Sequence, residues 1–502
     1  MSDRQARKDV NDAIISTGSA GIGLLVDAGN SSKNKRKQNK EKREQREAQE
    51  NSMDTNEPIE LVHEVQKQQW VNRVNDARVA GKITTWVSSL HPKNLECRLE
   101  GNFLNGSYNL SQKLRFSDGS VWLLRMPIVG NVSEEYADEK VAIEVEVLSI
   151  LHQSDVPVPR VMAWGLKPAN PLDLGPYIVM EFIEGISVNT LLRQHPKTRL
   201  IKEDIPDDDI ELLYRQFARI LLRIFQLNFP RLGSLPTPVT SFHAPVRPLT
   251  FKVHDILQTG GVDTFADYFS YLTGQDWCQF RCQPNSGGGP FVTKAKYAAL
   301  CGLQAVASQL IEPTHAADDL TVVGVVDLEW SYAGPAQLFG SAPWWLLQDR
   351  LNNWDTFLDK EEAPRVLESY LRHLDMFKTV LEEEERGMPG QTMELSRLVK
   401  WSEESGSMWL HMLLSWGFNH PDSLPFKQLQ AHLGREQWDK LREIPNQLEA
   451  IKFTERKLGD LSKYDELLEE VESLYKDVEN GKMTPEAFVA VVAELNNKEG
   501  DN

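Results

Sequence analysis

The sequence predicts an α/β (α+β) chain in two lobes, a small antiparallel-sheet lobe and a large, mainly helical lobe. Three observations carry that expectation. The stretch "GNFLNGSYNLSQKLRFSDGSVWLLRMP" reads as two strands joined by a tight turn, "SDGS". The stretch "SEEYADEKVAIEVEVLSILHQ" reads as one helix, and "YIVMEF" as a further strand. Beyond these, helical periodicity and tryptophan-containing segments run to about residue 445. With 502 residues, 41% hydrophobic and 25% charged, the chain has the composition of a globular protein of two or three domain-sized units.

Residues 1–60 read as a disordered, partly basic extension. Within it, "KNKRKQNKEKREQREAQE" lacks apolar residues and cannot build a core, so it reads as a solvated tail. The net charge of −18 argues against general nucleic-acid binding, which leaves this tail as the one candidate for such contact or for nuclear import. No apolar run approaches a membrane span, and the N-terminus lacks a signal-peptide pattern. Four cysteines are too few for a disulfide framework, and "CQFRC" lacks the second ligand pair of a zinc site. A cytoplasmic setting is expected, with the nucleus as the alternative. Residues 61–185 form the first lobe, 186–445 the helical lobe, and 446–502 a charged helical tail.

Each element of the first lobe has its reason. "WVNRVNDARVAGKITTWVSSL" is amphipathic at helical spacing. Asp118-Gly119 supplies the positive-φ pair of a hairpin turn. Along the strand that follows, Val121, Leu123 and Arg125 share one face, so the guanidinium points toward a core or a cleft where something anionic is expected. The next helix opens on Ser133, with acidic residues in its first turn. Val141, Val145 and Leu148 form its inward stripe; Glu144 lies on that stripe and Glu146 outside it. An ion pair between Arg125 and Glu144 is the favoured reading, against a surface pair of Glu144 with Lys140. The later helix through "DIELLYRQFARILLRIFQLNFP" should bury Leu213, Phe217, Ile220, Leu221 and Ile224, and the Asn-Phe-Pro segment should end it. Further on, "LTVVGVVD" reads as a buried strand with Asp327 at its tip.

In this order, "NGSYN", "VWLLRMP", "EKVAIEVEVLSIL", "VPVPRV", "YIVMEFIEG", "LNFPRLGSL" and "VVGVVDLEW" make the chain resemble the aminoglycoside phosphotransferase and choline kinase-like family, in its fungal form, over roughly residues 80–440. The resemblance implies a protein-kinase-like fold and ATP-dependent phosphorylation of a hydroxyl on a small molecule, with ATP and Mg2+ as cofactors. It implies that Arg125 holds the α- and β-phosphates and that Glu144 positions it. It implies that the loop Gly101 to Ser107, with Gly106, covers the phosphates, that Met180, Glu181 and Phe182 offer backbone groups to the adenine, and that Asp327 binds magnesium. Phosphoryl transfer needs positioning and charge neutralisation above all, which is why these residue types recur. Beside each role stands a plainer one: Gly101 and Gly106 as hairpin glycines, Glu181 as a solvated turn residue, Asp327 as a loop cap.

The family's catalytic loop carries an Asp that orients the acceptor and, about four residues on, an Asn that holds the metal. Here no Asn lies between His315 and Asp327, and Asp318-Asp319 directly precedes the strand, as turn residues do. No catalytic residue is therefore assigned. Two explanations stand: an inactive, pseudokinase-type homologue acting as a nucleotide-binding or scaffold protein, or the loss of a coding segment from this chain. The acceptor is not readable from the sequence.

Overall fold

The computed structural model describes residues 56–185, 188–193, 201–202, 204–229, 233–245, 247, 249, 268–309, 330–334, 336–347, 362–389, 393–416, 423–443 and 446–500. The order is α1 (Glu57–Val79), α2 (Lys82–Leu90), β1 (Cys97–Asn105), β2 (Asn109–Phe116), β3 (Val121–Pro127), α3 (Glu134–Gln153), β4 (Val161–Gly165) and β5 (Tyr177–Glu181). Helices follow: α4 (Val188–Leu192), α5 (Asp207–Phe225), α6 (Tyr268–Cys282), α7 (Pro290–Gln309), α8 (Ala336–Phe339), α9 (Glu362–Gly387), α10 (Glu394–Glu404), α11 (Ser407–Trp416), α12 (Leu424–Leu433), α13 (Arg435–Leu441), α14 (Gln447–Glu479) and α15 (Pro485–Gly500). A small antiparallel sheet lobe and a large helical region result, as the alternation patterns predict.

The five strands lie in the order β1-β2-β3-β5-β4, each pair antiparallel. In the β2–β3 turn only Gly119 takes a positive φ, +90°. The Asp118 side chain works differently, accepting from Ser120 N at 3.0 Å and Ser120 Oγ at 2.6 Å. The sheet is covered on both faces, which the sequence reading did not anticipate. Trp122, Leu124 and Met126 point to one side, into a core with Trp70, Val71, Val74, Ile83 and Trp86 of α1 and α2. Leu123 points to the other, where it packs with Val141, Val145 and Leu148 of α3. Period-two alternation thus sorts β3 correctly, and both faces are apolar because helices lie on both.

Helix α3 is the wedge between the lobes. Its Val141 side faces the sheet, while Ile143, Val147 and Leu151 enter the large core built from α5, α9, α10 and α11. Burial is therefore nearly continuous from Glu139 to Leu148. In α5 the deepest face is Ile210, Tyr214, Ala218, Leu222 and Phe225, one position on from the predicted Leu213, Phe217 and Leu221, while Ile224 is buried as predicted. Phe217 and its neighbours are half-buried instead, with Phe217 against Trp345 at 5.0 Å between centroids. The helix ends at Phe225, before the Asn-Phe-Pro segment. Among the described residues no helix is long and apolar enough to cross a membrane.

Candidate functional site

The strand β3 and the helix α3 bring together the pair the sequence singled out. Arg125 Nη1 donates to Glu144 Oε1. The Glu144 carboxylate is almost fully buried at 2%, while the Arg125 side chain keeps 23% of its surface exposed. A carboxylate out of water needs a partner, and a guanidinium that reaches it from the sheet is held at a fixed place with its outer edge still accessible. The alternative pair with Lys140 forms as well, but it is buried, not on the surface. Lys140 lies 3.9 Å from Glu144 Oε2, yet it is wholly buried and donates to Asn109 Oδ1 at 2.9 Å. Sequence reasoning placed Lys140 on the surface; the signal against that was an ammonium one turn before Glu144, just ahead of the apolar Val141, Ala142 and Ile143.

Period two places Ser111, Lys113 and Arg115 of β2 on the face of the sheet that carries Arg125, with Ser111 opposite Arg125 and Lys113 opposite Leu123. Three cations thus share one face, and Glu100 of β1 partly neutralises them. Lys113 Nζ is 3.0 Å from Glu100, and the Arg115 Nη2 bond to it is 2.9 Å. Hydrogen bonds from Arg115 first, then Lys113, draw the Glu100 carboxyl down to about 2. Lys113 also sits 4.1 Å above the Phe182 ring and 3.7 Å from Glu184.

The glycine-containing loop is shorter than predicted. Gly101 lies within β1, at a register shift between Glu100 and Leu104, with φ +70°. Its carbonyl accepts from Arg78 Nη2 of α1 at 3.2 Å, so it shapes a bulge rather than a cover. The turn itself is Gly106, Ser107 and Tyr108. There Gly106 N donates to Asn109 O at 2.9 Å, and Ser107 O accepts from Asn131 Nδ2 at 2.7 Å. The Gly106 amide is thus spent on closing the hairpin.

The linker strand needs a similar correction. Met180 lies in the ladder between Leu123 and Val161. Glu181 N donates to Arg160 O at 2.9 Å and Phe182 N to Val121 O at 3.1 Å. Those two donors are spent on the backbones of Arg160 and Val121, so they are not offered to a base. The Glu181 side chain is exposed, as in the solvated-turn reading.

Asp327 lies outside the described residues, as do His315, Asp318 and Asp319. Trp330, three positions after Asp327, is described. It meets Tyr108 of the turn edge-on at 5.3 Å, and Lys140 Nζ lies 5.6 Å from its ring. Trp330 therefore contacts the Gly106–Tyr108 turn and α3 beside the Arg125–Glu144 pair. Among the described residues no group of three His, Cys, Asp or Glu side chains is arranged to hold a metal, and all four cysteines are free.

Two further α3 carboxylates were missed as site-building residues. Glu146, placed by the stripe outside the core, is fully buried and accepts from Val239 N (3.0 Å), Thr240 N (2.6 Å) and Thr240 Oγ1 (2.8 Å). Glu139 takes a two-pronged bond from Arg247 at 3.0 and 3.1 Å. Burial pushes the Glu139 carboxyl up while Arg247 pulls it down. Both residues lash α3 to the segment that follows α5 in the helical region.

No family model matches the chain, and no curated protein matches it in sequence. Among solved structures, a provisionally named aminoglycoside phosphotransferase of Ralstonia eutropha JMP134 superposes with a TM-score of 0.31 and 11% identity, over 74% of this chain and 97% of that one. Similarity at that level carries no weight for fold or activity.

Proposed function

We propose that the chain is a phosphotransferase of the aminoglycoside phosphotransferase type whose cleft, beneath β2 and β3, binds ATP, and that as sequenced it does not pass the phosphoryl group to an acceptor hydroxyl. The observation that carries this reading is the Arg125–Glu144 pair: a partly accessible guanidinium on a sheet, held by a buried helix carboxylate beside a glycine turn. Such a group supplies fixed positive charge to a polyphosphate. Lys113 and Arg115 on the same face add to the favourable field for an anion. Magnesium ligation rests on Asp327 alone, since the sequence offers no partnering Asn after a catalytic Asp. The same lack supports the second reading, a non-catalytic nucleotide-binding or scaffold protein.

Titration of the full chain with a fluorescent ATP analogue, with and without magnesium, tests both. Saturable binding is expected, weakened at least about tenfold in Arg125→Met and less in Arg125→Lys, with circular dichroism unchanged. No phosphate transfer to aminoglycoside, choline or sugar acceptors is expected. Absence of saturable binding refutes the nucleotide reading, and measurable transfer refutes the inactivity.

A further inference from the structure

We infer that α1 and the long helix α14 form a clamp across the two lobes, and that the clamp seats the connection between β3 and α3. Helix α14 has 33 residues, about 50 Å at ~1.5 Å per residue. Its first half is fixed to the helical region. Ala450 and Phe453 pack with Trp277, Phe280, Tyr297 and Leu300 of α6 and α7. Lys457, wholly buried, donates to Gln283 O and, at 2.9 Å, to Ser286 Oγ. Its second half is fixed to α1. Val471 packs with Val65 of α1 and with Phe488 and Val492 of α15, which folds back to complete the bundle. Gln69 of α1 adds a bond to Glu486 of α15 at 2.6 Å.

One oxygen joins both halves. Tyr464 Oη accepts from Glu57 N, at the start of α1, at 3.0 Å and from Asn285 Nδ2, beside α6, at 3.2 Å. From there α1 runs to the back of the sheet, where Trp70 Nε1 donates to Leu174 O at 2.9 Å and Trp70 enters the core. Midway along, α1 presses on Gly130. A Cβ at that position would come within 2.3 Å of His63 O, and φ there is +88°. The next residue, Asn131, donates to Ser107 O of the turn between β1 and β2. The rod formed by α14 and α1 thus starts on the large lobe and ends against the segment that supports both the turn and the start of α3. An opening movement of the lobes would have to break it, because packed helices have discrete seats and do not stretch.

Hydrogen exchange read by mass spectrometry on the full chain tests this, comparing wild type, Val471→Asp and Tyr464→Phe. In Val471→Asp, exchange at least tenfold faster is expected in the first half of α1 and, beyond the bundle, across residues 128–137. If exchange rises in α1, α14 and α15 while 128–137 stay as protected as in wild type, the bundle is an appendage and the inference falls. Should Val471→Asp fail to fold, Tyr464→Phe decides, since it removes one oxygen and no apolar volume. Roughly threefold or greater acceleration is expected at both residues 57–62 and 284–286. A change on one side only, or on neither, overturns the inference.

Discussion

Replacing Glu146 with alanine removes the carboxylate through which α3 grips the segment at residues 239–240. Its acceptor oxygens serve two backbone N–H groups and the Thr240 hydroxyl, and no water reaches the wild-type side chain. With the carboxylate gone, three part-buried donors, the two N–H groups and the hydroxyl, lose a charged acceptor at about 1–2 kcal/mol each, which gives a loss near ~4 kcal/mol. Glu146→Gln behaves differently. Oε1 alone makes three of the contacts, so a carbonyl oxygen in that place keeps them and forfeits only the charge-assisted share, about 1–2 kcal/mol. Urea unfolding followed by tryptophan fluorescence is the assay. At a slope near ~3 kcal/mol per molar, the midpoint should fall by about 1.3 M in the alanine form and by less than half that in the glutamine form. Equal losses in the two variants, or an alanine midpoint indistinguishable from wild type, would refute the claim that acceptor geometry at Glu146 holds the lobes together.

Two predictions concern pH. The Glu100 carboxyl is drawn from its ordinary 4.5 to about 2 by Arg115 and Lys113, so its stabilising effect is complete above pH 4.5 and disappears as pH falls toward 2. Melting curves of wild type and Glu100→Gln should therefore differ at pH 5 and converge by pH 2; a constant difference would contradict the assignment. Burial pushes His411 down from 6.5 to about 4, so the unfolded chain takes up its proton first and stability declines as pH drops from 6.5 to 4. His411→Leu should lose that part of the decline, and a slope as steep as that of wild type would count against a neutral buried imidazole.

Much of the sheet lobe was legible in the sequence because period two is a local property. The placement of Arg125 and Leu123 on one face needs only the strand itself, and the pairing with Glu144 needs only one more helix. Glu146 and Lys140 were not legible for the same reason that α3 matters. A helix buried on nearly every side has no outward stripe, so periodicity cannot separate inward charges from outward ones. Gly101 and Phe182 show another boundary. A glycine beside a strand signals a bulge as readily as a loop, and strand ends are read from hydrogen bonds that depend on the neighbouring strand. The docking of α1 on α14 joins residues some 400 positions apart, as in the Glu57–Tyr464 bond. No local pattern encodes a partner at that separation.

The buried carboxylates of α3 also set an order of events during synthesis. Glu139 and Glu146 leave the ribosome roughly a hundred residues ahead of Arg247, Val239 and Thr240, which satisfy them. At about 5–20 residues per second the interval is on the order of 5–20 s. Until α5 and the later helices follow, the nascent sheet lobe carries a helix whose second face, Ile143, Val147 and Leu151, has no core to enter. The nascent chain therefore passes through a stage in which native contacts do not yet cover that face.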